Sequence, residues 1–265
     1  MKPTVPTPSM GILQLHEAGE KFHLSRYAPS AQLSPFVKHY WIVSWDLSGE
    51  EPHAQDVVPN PCVNLVIEAQ RSGIYGAASS KYTKILEGTG HAFGVKFRPG
   101  GFYPFLQSPL SRLTDQSLAL SDIFGPGAEA EAQQIRSAPS PDAMIALAEA
   151  LLQSKLPEPD ETVQYINTMI DRIQEDRHIT RVEHICQQFS LNIRRLQRLF
   201  NQYVGVSPKW VIQLYRLQNA AEALDLDRVH AGPGLSADLG YYDQSHFIRD
   251  FKTVIGKTPE EYGRR

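Results

Sequence analysis

Leu196-Gln197-Arg198-Leu199-Phe200 leads through Tyr203 to Gly205-Val206-Ser207-Pro208, and fifty-one positions later Phe247-Ile248-Arg249-Asp250-Phe251 leads through Val254-Ile255 to Gly256-Lys257-Thr258-Pro259. Arginine, phenylalanine, glycine, a hydroxyl residue and proline fall in register between the two stretches. A repeat of this kind means one supersecondary unit used twice. Each copy reads as an amphipathic helix that stops at a glycine and is succeeded by a proline unable to extend it. Arginine on the polar face of two equivalent helices points to two reading heads on one duplex.

Working outward from the first copy, Val182 to Phe189 reads as a short helix and Ser190-Leu191 as a turn. Asn192 is a good N-cap for the next helix. Leu196, Leu199, Phe200 and Tyr203 recur at i, i+3, i+4 and i+7 and face inward, so Arg194, Arg195, Gln197, Arg198, Asn201 and Gln202 face out. Arginine can offer two hydrogen bonds to guanine and glutamine two to adenine. In the second copy Leu235 and Leu239 anchor a short first helix, expected to begin at Leu235 because Ala231-Gly232-Pro233-Gly234 is poor helix material. Gly240 supplies the turn and Asp243 caps the next helix. Phe247, Phe251, Val254 and Ile255 form its buried stripe, leaving Gln244, Ser245, His246, Arg249 and Lys252 exposed. Lys209 to Leu224 reads as a connecting helix of roughly 24 Å. That length can hold two readers in neighbouring major-groove segments.

The outward residues carry open alternatives. Arg195 and Lys252 suit phosphate contacts or solvated charges better than base reading, because about half or more of protein–DNA hydrogen bonds go to the backbone. His246 either touches DNA or packs beside Tyr242. Of Arg198 and Arg249, one could pair with a carboxylate such as Asp250. The first head holds more bidentate donors, so an asymmetric site is expected, with more base specificity in its first half.

The chain of 265 residues is long enough for one large domain or two ordinary ones, and 42% apolar with 21% charged residues supports a packed core. Its net charge of −3 hides an asymmetry: residues 178–265 hold 12 basic and 9 acidic side chains, and the remainder 14 and 20. A mildly basic C-terminal part on an acidic partner fits a DNA-binding domain attached to a regulatory one. The start lacks the apolar stretch of a signal peptide and no run could span a bilayer, so a cytoplasmic protein with no membrane association is expected. Cys62 and Cys186 belong to no Cys-x-x-Cys pair and read as small buried hydrophobes.

Phe36 to Arg98 has the texture of strands: Phe36–Trp45, Val63–Glu68 and Ala92–Arg98 are rich in aromatic and β-branched residues, with turn chemistry between them. An antiparallel sandwich or small barrel is expected, with strands ending near residue 105. Helices come next, at about Ala128–Ile135, Ala143–Lys155 and Glu161–Asp176. The proline-rich break Leu156-Pro157-Glu158-Pro159-Asp160 divides a regulatory domain, 1–156, from an all-α domain, 160–265, making an α+β multidomain chain. Val163, Ile166, Ile170 and Ile173 form a stripe that serves either core packing or a dimer seam. If the N-terminal domain has a pocket, Tyr40, Trp41 and Trp45 line it, with Asn64 and Arg98 as polar anchors; the alternative is a barrel core with aromatic girders.

Residues 160–265 resemble the DNA-binding domain of the AraC/XylS family of bacterial transcription regulators. The likeness rests on Leu196–Phe200, Gly205-Val206-Ser207-Pro208-Lys209, Arg216-Leu217, the run from Gly240 to Lys252, and Gly256-Lys257-Thr258-Pro259-Glu260-Glu261-Tyr262. It implies that the helices after Asn192 and Asp243 enter the major groove of double-stranded DNA. The implied base-facing residues are Arg194, Gln197 and Arg198 in the first and Ser245, His246 and Arg249 in the second. RNA polymerase is a further implied partner. The N-terminal half resembles a sensor-type domain found ahead of such domains, on Phe36–Trp45, Pro61–Leu65 and Phe93–Phe102. That likeness implies a small-molecule effector or homodimerisation through this half, and names no ligand.

Enzyme signatures are lacking: the sequence has no His-Glu-x-x-His, no Gly-x-Ser-x-Gly elbow and no phosphate-cradling Gly-x-x-x-x-Gly-Lys. No cofactor or metal is expected and the chain is expected not to be an enzyme. The rival is an N-terminal enzyme domain targeted to DNA by the helical domain; a third reading is a constitutive regulator whose N-terminal half only dimerises.

Overall fold

The computed structural model describes residues 21–225 and 233–263. A six-stranded sheet runs in the order β1-β2-β7-β4-β5-β8, and β3 and β6 form a separate two-stranded ribbon. The strands are β1 (His23–Tyr27), β2 (Val37–Leu47), β3 (His53–Val57), β4 (Asn64–Ile67), β5 (Gly73–Tyr75), β6 (Tyr82–Leu86), β7 (Gly88–Phe97) and β8 (Ser117–Leu118). Every pairing is antiparallel. The N-terminal region is therefore mainly antiparallel β succeeded by helices, as its strand-and-turn texture indicates. The sequence expectation missed β1, β5, the β3–β6 ribbon and β8, the last lying past the expected end of the strands near residue 105. β5 and β8 are three and two residues long, and His53-Ala-Gln-Asp-Val and Tyr82-Thr-Lys-Ile-Leu are too polar to read as core strands.

Alternation in β2 and β7 gives the large sheet two different faces. On one, Tyr40, Phe93, Val95 and Phe97 pack with Leu65 and Ile67 in a core closed by helices. Those helices are α1 (Tyr103–Leu106), α2 (Ser121–Phe124), α3 (Ala128–Arg136) and α4 (Pro141–Gln153). α4 starts where it does because Ser140 accepts a hydrogen bond from the Ala143 amide and Pro141 occupies the first turn. The other sheet face is lined by His39, Trp41, Val43 and Trp45 and looks toward the ribbon.

After the proline-rich break come α5 (Glu161–Glu175), α6 (Val182–Gln188), α7 (Ile193–Leu199), a π-turn (Phe200–Val204), α8 (Pro208–Asp225), α9 (Pro233–Asp238), α10 (Gln244–Ile255) and α11 (Pro259–Gly263). Asp160 caps α5 through the Thr162 amide at 2.8 Å. Val163, Ile166, Ile170 and Ile173 are all buried within the chain against Leu196, Phe200 and Val211, so the stripe is core. α8 serves two cores with its two sides. Val211, Ile212 and Tyr215 belong to the first helix-turn-helix unit; Leu214, Leu217, Ala220 and Leu224 belong to the second. Its eighteen residues span roughly 27 Å.

The second unit's first helix begins at Pro233, two residues before the expected Leu235. Proline pre-organised in the first turn offsets the adjacent glycine. A Cβ on Gly234 would meet nothing within 4 Å. Gly234→Ala is therefore expected to raise stability by about 0.5–1 kcal/mol. Urea denaturation of the full chain measures it, and an unchanged midpoint would move the helix start past Gly234. Gly232, the other glycine of that expectation, lies outside the described residues.

Candidate nucleic-acid interface and internal cavity

α7 and α10 are set by matching caps. The Asn192 side chain accepts from the Arg195 amide at 2.8 Å. The Asp243 carboxylate accepts from the amides of Ser245 (3.0 Å) and His246 (3.3 Å). Each cap satisfies amides that would otherwise lack partners and fixes the phase of its helix. Leu196 and Phe200 are buried beneath α7, as are Phe247, Phe251, Val254 and Ile255 beneath α10. With those phases fixed, Arg194, Arg195, Gln197 and Arg198 are exposed on α7, and Gln244, Ser245, His246, Arg249 and Lys252 on α10.

Several details depart from the sequence expectation. Gln202 does not face outward: its Nε2 donates to the Tyr103 hydroxyl at 2.6 Å, a contact with the N-terminal domain. The π-turn at Phe200–Val204 rotates the chain away from the α7 phase, which a 3.6-residue count cannot foresee. His246 stands edge-on to Tyr241, with ring centroids 5.8 Å apart, while Tyr242 is fully exposed. Asp250 is partnered by His246 at 3.5 Å and by the Tyr241 hydroxyl at 3.2 Å, so its partner is neither Arg198 nor Arg249. The Arg216 guanidinium lies 4.6 Å over the Tyr241 ring. This stack braces α10 against α8, an arrangement no single stretch of sequence displays.

The second feature is a cavity of about 720 Å³ between the large sheet and the ribbon. Its walls include Trp41, Trp45 and Asn64. Tyr40 and Arg98, also expected there, lie elsewhere. Tyr40 points to the opposite sheet face and its hydroxyl donates to Glu149 Oε1 at 3.2 Å; alternation sends neighbours of Trp41 to the other side. Arg98 lies beyond the end of β7 and donates its Nε to the Ser34 carbonyl at 2.7 Å. The tryptophans lie across glycines: a Cβ on Gly94 would run into the Trp41 ring, and one on Gly90 into Trp45. Large rings can therefore lie flat on the sheet and leave the space above them open.

Sequence reasoning missed the polar end of this cavity. Strand register places Tyr75, Asn64, Lys96 and His39 side by side across β5, β4, β7 and β2. Lys96 and His39 are each 8% exposed, and both face the cavity. Burial, with the neighbouring Lys38 and Arg26 charges, pulls the Lys96 ammonium down to about 8, though Cys62 opposes the shift. Burial and the Lys96, Arg26 and Lys38 charges push His39 down to about 2, so its imidazole is neutral at physiological pH. In Phe93-Gly94-Val95-Lys96-Phe97 alternation sends Lys96 to the face opposite the buried Phe93, Val95 and Phe97, where a lysine reads as an ordinary solvent-facing residue, so its strand carries no signal of the burial.

The two regions touch. Gln218 Nε2 on α8 donates to the Pro59 carbonyl at 2.9 Å, and Pro59 is a cavity-wall residue. Thr114 Oγ1 donates to the Gly205 carbonyl at 2.8 Å, and the Tyr103 and Tyr203 rings stand 4.1 Å apart. Among the described residues, no helix is long and apolar enough to cross a membrane.

Two family models match this chain. Residues 185–265 match the family model described as helix-turn-helix domain, and residues 25–119 match a domain of unknown function (DUF6597). An "F1 operon positive regulatory protein" of Yersinia pestis is 31% identical over 99 residues, which is 37% of this chain and 33% of the relative. An "uncharacterized HTH-type transcriptional regulator" of Haemophilus influenzae is 26% identical over 98 residues, again 37% and 33%. The chain thus spans about a third of the length of the curated relatives it matches. Among solved structures, ToxT of Vibrio cholerae bound to an unsaturated fatty acid aligns over 92% of this chain and 95% of its own, at 11% identity and a TM-score of 0.38.

Proposed function

We propose that this chain, whose residues 185–265 match a helix-turn-helix family model, is an AraC-type, sequence-specific DNA-binding transcription regulator controlled by a small molecule held in its N-terminal domain. The observation that carries the DNA reading is the pair of capped helices in repeat register, each presenting arginine and amide or hydroxyl groups on an exposed face. Arg194, Gln197 and Arg198 read base edges in one major-groove segment, and Ser245, His246 and Arg249 in the next. Arg195, Gln244 and Lys252 hold the backbone. The division falls at residues 156–160, with the regulatory domain before it. The effector part rests on the cavity and on the Gln218–Pro59 hydrogen bond, which joins its wall to the helix that spaces the two readers. The sign of regulation is activation, in keeping with the name of the Yersinia pestis relative, and RNA polymerase is the partner that activation would engage.

Genome-wide mapping of the DNA bound by the full chain, then titration of the recovered site, tests this reading. Affinity is expected to fall about 1000-fold or more between 50 and 200 mM salt, as counterions displaced from about six phosphates return. Absence of enriched sites, or an affinity insensitive to salt, would refute it.

A further inference from the structure

The cavity walls are graded from one end to the other. At one end Trp41 and Trp45 lie flat on Gly94 and Gly90, joined by Leu24, Val43 and Val66. At the other, the cross-strand row of Tyr75, Asn64, Lys96 and His39 closes the space, with Cys62 beside it. Lys96 stands out in that row. Its ammonium is more than nine-tenths buried, and no carboxylate among the described residues pairs with it. The acidic groups of the wall are committed elsewhere. Glu68 Oε2 is 2.6 Å from Lys84, and Asp115 accepts from the Ser79 amide at 2.7 Å. Lys81, also on the wall, is matched by Asp56 at 2.6 Å. Arg26 adds a further positive charge to the lining.

A buried ammonium without a counter-charge is costly, and the cost is relieved when an anion enters beside it. Neutral His39 and the Asn64 amide can donate hydrogen bonds to the same anion. The apolar end offers surface for a hydrocarbon or ring, and the charges on that side, Glu68 and Lys84, are already paired with each other. We infer that the cavity takes an amphipathic organic anion, its carboxylate-type head on Lys96, His39 and Asn64 and its apolar body across Trp41 and Trp45. This rests on the reading of the cavity as an effector site and specifies its ligand. The head sits at the end where residues 59–62 approach α8, so binding is sensed where the N-terminal domain meets the connector.

The test is calorimetric titration of the full chain with matched probes: decanoate against decan-1-ol, and indole-3-acetate against indole-3-ethanol. At least one acid is expected to bind ten-fold or more tighter than its alcohol, and which pair responds tells an aliphatic body from an aromatic one. Lys96→Met should bring that acid down to the affinity of its alcohol, whereas Lys96→Arg should keep the preference. The methionine variant removes a buried charge without changing shape much, so its melting temperature without ligand should not fall. Alcohols binding as well as acids, acid affinity unchanged in Lys96→Met, or no probe binding to the full chain would each overturn the inference. DNA affinity is measured in parallel. If the acid binds through Lys96 and DNA affinity does not change, the anion site stands and the regulatory reading falls.

Discussion

Replacing Arg194 and Arg198 together by alanine is expected to weaken binding to the cognate site by about 100- to 1000-fold while leaving the fold intact. Both side chains are exposed, and neither makes a hydrogen bond or ion pair with another described residue. Removing them should move stability by no more than about 0.5 kcal/mol. Each bidentate arginine–guanine contact is worth about 1–3 kcal/mol of discrimination, so the loss should fall mainly on the cognate sequence. Scrambled DNA should lose far less. If both arginines instead hold phosphates, cognate and scrambled DNA weaken alike and the salt slope drops by about two phosphate contacts. Competition binding at two salt concentrations separates the outcomes. Arg249→Ala in the second head is expected to cost less than Arg198→Ala, because α10 offers fewer bidentate donors. Equal losses on a site with matching halves would end the asymmetric reading.

Gly205→Ala is expected to destabilise the protein by about 3–4 kcal/mol, and Gly256→Ala, its counterpart in the repeat, by only about 1 kcal/mol. The two glycines end their helices with nearly the same backbone, φ +91° and +92°, so the left-handed strain of adding a side chain is shared. The difference lies in the neighbour. A Cβ on Gly205 would sit 2.8 Å from the Leu110 carbonyl and 2.9 Å from Thr114 Oγ1, in the seam between the two domains. Backbone cannot swing aside, and the Thr114–Gly205 hydrogen bond would be lost with it. On Gly256 the new atom meets only the side chain of Lys81, whose flexible end can move away. Denaturant melts of the two variants, read at equal chain concentration, give the difference directly. Equal losses would mean that the Leu110–Thr114 segment yields as readily as the Lys81 side chain.

Most of the C-terminal domain was legible because its information is local. Caps at Asn192 and Asp243, stripes at helical spacing and glycine stops each act within a turn or two of chain. The start of α9 was missed by two residues, since proline's preference for a first turn outweighed the glycine beside it. Trp41, Trp45 and Asn64 were placed together by composition, whereas Tyr40 and Arg98 were drawn in by proximity in sequence and sent elsewhere by alternation and by the end of β7. Lys96 carries no mark of its role in its own strand, because burial of one lysine is a property of two sheets facing each other.

The sequence by itself determined that two equivalent helices are capped, phased and exposed with arginine outward, because each of those properties is settled by neighbours a few residues away. Tertiary structure alone decided that Tyr75, Asn64, Lys96 and His39 form one row, that glycines lie beneath the tryptophans, and that Gly205 faces backbone where Gly256 faces only the flexible Lys81 side chain. Those facts depend on strand register and on packing between segments far apart in sequence, 99 residues for Tyr103 with Gln202 and 159 for Pro59 with Gln218. No periodicity within a single segment encodes a partner at that distance.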